Sequence, residues 1–260
     1  MDYNNLLLSV ITLSKEAGSE ILEIYNSNNK KIDVELKDDL SPLTIADKTS
    51  NKIILNKLKK LTPDIPILSE EEKNIEYSTR KKWNKFWLVD PLDGTKEFIK
   101  HNGEFTVNIA LIKDHTPIMG VVYAPVLQTV WYGSIDCGSF IMKKESEPQK
   151  LTAKRLDKKI MKIVSSRSHA NNPKLEQYLK QFEKYELIKM GSSIKMCLVA
   201  DGSAHYYPRF GPTMEWDTGA AHCVVKYAGG NIFDIDTDKE LQYNKKNLLN
   251  PGFIVRPNEK

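Results

Sequence analysis

The segment Asp90-Pro91-Leu92-Asp93-Gly94-Thr95 places two carboxylates three residues apart at the end of an apolar run, followed by a glycine and a hydroxyl. Pro91 fixes φ and Gly94 permits a sharp turn, so Asp90, the Leu92 carbonyl and Asp93 can converge on one point. Donors that are all oxygen suit Mg²⁺ or Mn²⁺ rather than zinc. A helix opening near Thr95 would aim free N–H groups at an anion beside such an ion. Taken alone, an Asp-x-x-Asp-Gly turn more often caps a helix than binds a metal.

Three further carboxylates sit at comparable places. Glu70 directly follows a short apolar run ending in Leu68-Ser69, while Glu71 and Glu72 read as solvated helix-start charges. Asp217, in Glu215-Trp216-Asp217-Thr218-Gly219, stands at the expected N-cap of an apolar helix, and Asp47 falls in the first turn of another. A second group of residues is cationic. Gly191-Ser192-Ser193-Ile194-Lys195 opens a helix with hydroxyls and a lysine, and Arg209 lies in a loop bounded by prolines. Lys195, Arg209 and helix-start N–H groups together could hold a phosphate. His169, in Ser165-Ser166-Arg167-Ser168-His169, is by itself an ordinary loop histidine.

The elements that must position these residues follow from hydrophobic periodicity. Helical spacing runs from Tyr3 to about Asn26 and from Thr44 to Leu61, where Pro63 ends it. Lys31 to Lys37 alternates like a half-buried strand, and short strands are expected at Ile65–Ser69 and Phe86–Asp90. Thr106–Ile112, Ile118–Tyr123 and Thr129–Tyr132 read as antiparallel neighbours. Beyond a polar segment, strands and helices alternate: Ile160–Ser165, helix Leu175–Phe182, Glu186–Lys189, helix Ile194–Ala200, Ala204–Tyr207, helix Thr218–Ala228. Residues 1–140 therefore form an expected N-terminal α+β, metal-binding domain with an antiparallel sheet. Residues 158–260 form an α/β domain completing the substrate site, and 141–157 connect the two.

Composition narrows the class. With 40% apolar and 28% charged residues, the 260-residue chain can bury a sizeable core, and no apolar run is long enough to span a bilayer. The N-terminus lacks the pattern of a secretory signal. Cys137, Cys197 and Cys223 are odd in number and form no CxxC pair, so they read as structural thiols of a cytoplasmic protein. A net charge of +4 from scattered lysine pairs indicates solvated surface rather than a nucleic-acid footprint, while still favouring approach of a polyanionic small molecule.

At Glu70, at Asp90 to Thr95, at Trp216-Asp217 and at Asp47, the sequence resembles the inositol-monophosphatase superfamily. Within it the likeness is to 3'(2'),5'-bisphosphate nucleotidases of the CysQ type, carried by Asp90 to Phe98, Phe105 to Ala110, Gly120 to Pro125, Gly191 to Lys195, Tyr207 to Thr213 and Leu249 to Phe253. The resemblance implies a layered α+β and α/β sandwich of the fructose-bisphosphatase-like kind. It implies that Glu70, Asp90 and the Leu92 carbonyl hold one Mg²⁺ and that Asp90, Asp93 and Asp217 hold a second. Glu70 would share a weaker third ion, and Mn²⁺ would substitute. Thr95 paired with Asp47 would orient the attacking water, with Glu70 also catalytic. The reacting phosphate would lie on Leu92, Asp93, Gly94, Thr95 and Asp217. Ser192, Lys195 and Arg209 would face the nucleotide's 5'-phosphate, with His169 near the nucleoside.

The implied reaction is lithium-sensitive hydrolysis of adenosine 3',5'-bisphosphate to AMP and phosphate. Its sulfated relative, 3'-phosphoadenosine 5'-phosphosulfate, is a further substrate, and the setting is sulfur assimilation. The alternatives are an inositol- or sugar-phosphate phosphatase on the same scaffold, or a non-catalytic nucleotide- or nucleic-acid-binding protein. The expected partners are a small nucleotide bisphosphate and, since relatives include both, either no second subunit or an identical one. The expected location is cytoplasmic, with peripheral attachment to the inner face of the cell membrane left open.

Overall fold

Both faces of the central strands are apolar because both are covered. In Thr106–Lys113 (β5), Val107, Ile109 and Leu111 enter one hydrophobic cluster, while Ala110 and Ile112 enter another on the opposite face. The same split holds in Lys85–Asp93 (β4), where Trp87 and Val89 face one way and Phe86 and Leu88 the other. Strands buried twice lose the polar alternation that marks a solvated face.

The computed structural model describes residues 3–27, 34–36, 42–153, 160–167 and 172–258. Among them, helices Tyr3–Asn26 (α1) and Ile45–Leu61 (α2) cover one face of a seven-stranded sheet, with the short pair Val34–Leu36 (β1) and Pro42–Thr44 (β2) ahead of α2. The sheet runs in sequence order from Ile67–Ser69 (β3) through β4, β5, Thr116–Ala124 (β6), Thr129–Ser134 (β7) and Gly138–Lys143 (β8) to Gln149–Lys150 (β9). β3 pairs parallel with β4, and every later pairing is antiparallel. Tyr77–Arg80 (α3) and Thr95–Ile99 (α4) flank β4.

Helices Ile194–Ala200 (α6) and Glu215–Tyr227 (α7) cover the second face. Beyond them lies a second set of strands. Met161–Ser166 (β10) pairs parallel with Tyr185–Met190 (β11), and Tyr207–Arg209 (β12), Phe253–Pro257 (β14) and Gly230–Asp234 (β13) pair antiparallel in that order. A bridge between Ile163 and Tyr206 joins the two groups. Pro173–Leu179 (α5) packs Leu175 and Leu179 against Ile163 on the outside. The molecule is thus a layered sandwich of helices and sheets. Among the described residues no helix is long and apolar enough to cross a membrane.

Five strands escape sequence reading, the first of them the three-residue β2. β8 runs into the segment expected to be a connection, β9 lies within it, and β13 and β14 are five-residue pieces beside Gly, Asn and Pro. β8 folds back on β7 and β9 on β8, whereas β12, β13 and β14 are paired across intervening chain that local periodicity does not record. The α7 start also differs. The helix begins at Glu215, with Met214 in the cap position, so Asp217 sits inside the first turn rather than at the N-cap, and its Oδ2 accepts the Met214 N–H at 2.9 Å. Most of the expected strand at Lys31–Lys37, including Ile32, lies outside the described residues.

α7 approaches the sheet closely enough that glycine is required at the contact. A Cβ on Gly120 of β6 would stand 2.4 Å from the Ala220 carbonyl oxygen and 2.6 Å from Cys223 Cβ, and one on Gly219 would stand 2.8 Å from Leu88 Cδ2. Overpacking of this kind costs about 1–3 kcal/mol. Gly120→Ala is expected to lower the unfolding free energy by that amount, read as a lower midpoint in urea with an unchanged slope.

Candidate active site

Strand parity places the first carboxylate. Asp90 follows Phe86 and Leu88 on the α6/α7 face of β4, and in register it faces Asn108 of β5. The β4–β5 register shifts between Asp90 and Asp93, which lets the chain turn out of the sheet. Asp90 Oδ1 accepts the Leu92 N–H at 3.1 Å. Gly94 adopts φ 96°, a left-handed value that a side chain would strain, and a Cβ there would press on Glu104 O at 3.1 Å and Ser192 Cβ at 3.3 Å. The turn is anchored from behind, where the Ser50 hydroxyl of α2 donates to the Pro91 carbonyl at 2.8 Å.

Asp47 and Thr95 come together. Asp47 lies in the first turn of α2, where its Oδ2 accepts the Thr44 N–H at 2.8 Å and the Thr44 hydroxyl at 2.6 Å. Its other oxygen lies 3.2 Å from Thr95 Oγ1, which is also 3.4 Å from the Leu92 carbonyl. Asp47 is buried, so its carboxylate depends on these hydroxyl and amide donors.

Glu70 enters from the end of β3, and Asp217 from the start of α7. Glu70, Asp93, Thr95 and Asp217 line one open cavity of about 570 Å³. Asp93, Gly94 and Asp217 also border a second cavity of about 190 Å³ that reaches Ser192, Lys195 and Arg209. The two are lobes of one cleft divided by the Asp93–Gly94 turn. Burial first, then the charges of Asp93 and Glu70, push the Asp217 carboxyl well above the usual carboxylate range.

Among the described residues, no three His, Cys, Asp or Glu side chains close round a single point as a ready-made cage. The carboxylates are held by individual donors: Asp90 by Leu92 N–H, Asp217 by Met214 N–H and Asp93 by the Ser193 hydroxyl at 2.9 Å. The donor set nonetheless fits a hard divalent cation. It is all oxygen, anionic, and mutually repelling in a way that only positive charge relieves.

The other lobe brings Lys195 and Arg209 together beside Lys96, with Asp93, Glu97 and Asp217 on its rim. Lys195 Nζ donates to the Ser192 carbonyl at 2.6 Å and lies 5.6 Å from the centre of the Tyr207 ring. Burial lowers its ammonium to about 8, against the opposing charge of Asp93. Arg209 Nη2 donates to the Pro212 carbonyl at 3.1 Å, while Nε is buried without a hydrogen-bond partner. A buried guanidinium N–H facing no acceptor is costly unless a ligand supplies one. His169 lies outside the described residues.

Sequence reasoning passed over Ser193 and Asn108. Asn108 Nδ2 donates to Ser193 Oγ at 2.9 Å, and that hydroxyl lies 2.9 Å from Asp93 Oδ2 and 2.7 Å from the Asp217 carbonyl. This chain ties β5, α6 and α7 to the turn. The only sequence signal was parity, since Asn108 is a polar residue inside an apolar strand.

The stored repulsion predicts a stability effect. Asp217→Asn keeps an acceptor for Met214 N–H and removes one charge. With EDTA present the variant is expected to be more stable than the parent, read as a higher melting temperature, because burial and the neighbouring charges disfavour the Asp217 carboxylate. Adding Mg²⁺ is expected to raise the parent's melting temperature more than the variant's.

Comparison with known proteins adds an independent line. The model of the family described as "Inositol monophosphatase family" matches residues 2–259. The chain is 46% identical over 251 residues to the 3'(2'),5'-bisphosphate nucleotidase CysQ of Escherichia coli K12, covering 96% of this chain and 99% of that one. It is 45% identical over 251 residues to the CysQ of Salmonella typhimurium, with the same coverage. The crystal structure of CysQ from Bacteroides thetaiotaomicron, a bacterial member of the inositol monophosphatase family, superposes with a TM-score of 0.88 at 38% identity, covering 100% of this chain and 99% of that one.

Proposed function

The chain belongs to the inositol monophosphatase family, and from that premise we propose that it is a Mg²⁺-dependent 3'(2'),5'-bisphosphate nucleotidase releasing the 3'-phosphate of adenosine 3',5'-bisphosphate. Full-length similarity to proteins named for that activity supports the reading. The observation that carries it is the lobe of Lys195 and Arg209. Lys195 and the unpaired Arg209 Nε lie beyond the Asp93–Gly94 turn from the acidic lobe, where a substrate with two phosphates could place one in each.

Glu70, Asp90, the Leu92 carbonyl, Asp93 and Asp217 would hold the metal, as two ions or with a weaker third, and Mn²⁺ is expected to substitute. When bound, Mg²⁺ offsets the carboxylate charge and acidifies a water for attack on phosphorus. The chain's own groups do the remainder. The Thr95 hydroxyl, held by Asp47, orients the attacking water. Gly94, Thr95 and the adjoining turn receive the reacting phosphate. Ser192, Lys195 and Arg209 hold the other phosphate, with His169 near the nucleoside. The sulfated 3'-phosphoadenosine 5'-phosphosulfate fits the same assignment, because its 5' group is also anionic. Three free thiols agree with a reducing, cytoplasmic compartment.

The direct test is phosphate release with Mg²⁺ from adenosine 3',5'-bisphosphate, 3'-AMP, myo-inositol 1-phosphate and fructose 1,6-bisphosphate. The bisphosphate nucleotide is expected to be preferred, and excess EDTA to abolish activity. A preference for inositol 1-phosphate would return the inositol-phosphatase alternative. Each charge-assisted contact to phosphate is worth about 1.5–3 kcal/mol. Lys195→Ala or Arg209→Ala is therefore expected to cut kcat/KM for the bisphosphate about ten- to a hundredfold, with much less effect on 3'-AMP.

Thr95→Ala separates a catalytic from a capping role. Loss of the water-orienting hydroxyl is expected to lower kcat far more than it changes KM. A mere helix cap would lose about 1 kcal/mol of stability and leave kcat alone.

A further inference from the structure

Glu104 joins the two halves of the cleft, yet it belongs to neither set of residues assigned above. Its backbone is fixed by what surrounds it. Gly103 has φ 79° and lies against Val126, and Phe105 is fully buried. The Glu104 carbonyl oxygen is the atom a Cβ on Gly94 would meet first, at 3.1 Å. Its side chain crosses the gap to the C-terminal half. Oε2 accepts the Gly191 N–H at 2.8 Å and Arg167 Nε at 2.7 Å, and Oε1 accepts Arg167 Nη2. The gap is narrow, since a Cβ on Gly191 would stand 2.8 Å from that same carbonyl oxygen and 2.9 Å from Glu104 Cβ.

Gly191 begins the turn that shapes the lobe of Lys195 and Arg209. The next residue, Ser192, is held at φ 46°, a left-handed value that strains a non-glycine residue and persists only when the surroundings fix it. One fixture is the Glu104–Gly191 bond before it. The other is the Ser193 hydroxyl after it, bonded to Asp93 and the Asp217 carbonyl. The orientation of Ser192 passes to Lys195, whose ammonium donates to the Ser192 carbonyl.

We propose that Glu104 is the positioning residue of the lobe of Lys195 and Arg209, setting the Gly191–Ser192 turn so that Lys195 meets the non-reacting phosphate. The inference rests on the bisphosphate reading above. It concerns a hydrogen bond donated by the Gly191 N–H, in the turn after β11, to a carboxylate in the loop leading into β5, not a contact with substrate. Arg167 keeps the carboxylate charged and aimed, and the pair is exposed enough on the arginine side to add little to global stability.

The test compares three variants on two substrates. Glu104→Ala removes the acceptor. Glu104→Asp keeps the charge but is one methylene too short to reach Gly191. Glu104→Gln keeps an acceptor at full length. Alanine and aspartate are expected to raise KM for adenosine 3',5'-bisphosphate about tenfold, with kcat within about twofold and both constants for 3'-AMP little changed. Glutamine is expected to restore KM to within about threefold of the parent. If Glu104→Ala does not fold, Glu104→Asp against Glu104→Gln decides the matter. Equal losses on both substrates, a fall in kcat instead of a rise in KM, or glutamine as damaging as aspartate would overturn the proposal. Lys195→Ala run in parallel separates the two failures. If it distinguishes the substrates while the Glu104 variants do not, only the positioning role falls. If it does not distinguish them, the bisphosphate reading falls and takes the positioning role with it.

Discussion

Glu70, Asp93 and Asp217 reach one cleft from three separate elements, and their mutual repulsion is the constraint the surrounding structure answers to. Asp217 shows it most clearly, with its carboxyl pushed up by burial and by the other two charges. The protein meets the repulsion locally with single donors: Met214 N–H for Asp217 and the Ser193 hydroxyl for Asp93. These bonds orient the carboxylates without discharging them. On the proposed reading a hard cation would complete the arrangement, and the local fold would act as a holder for that charge.

Orientation of this kind needs rigid support. α7 must lie close against the sheet, which is why Gly120 of β6 faces its backbone and Gly219 of α7 faces Leu88 of β4. That approach sets how far Asp217 reaches toward the β4 turn. The same turn separates the two lobes, so on the proposed reading one short segment would set the spacing between two phosphates. Ser193 bonds to the turn on one side of the division, and the Glu104–Gly191 bond fixes the same loop from the other.

Much of the candidate site was legible in the sequence because its carboxylates sit at element ends, where turn chemistry leaves a local signature. Asp90 to Thr95 combines a proline, a glycine and two acids within six residues. Glu70 and Asp47 were placed correctly at the end of a strand and in the first turn of a helix. The α7 start was displaced, because an aspartate that folds back to the Met214 N–H looks in sequence like one that caps. Glu104 was not read at all, and Asn108 was read only as part of a segment carrying the resemblance, with no role of its own. Their partners, Gly191, Arg167 and Ser193, are 63 to 87 residues away, and nothing in local spacing encodes such pairings. The late strands β13 and β14 were missed because they pair across intervening chain, and β9, a two-residue strand at the sheet edge, is too short to show a period.

The most direct test of the central claim, that one phosphate is hydrolysed while the other is held, is to identify which phosphate leaves. Phosphorus NMR of adenosine 3',5'-bisphosphate with the protein and Mg²⁺ follows both groups at once. The account predicts that the 3' signal gives way to inorganic phosphate while the 5' signal persists as AMP. Accumulation of 3'-AMP, or release of both phosphates at equal rates, would contradict it.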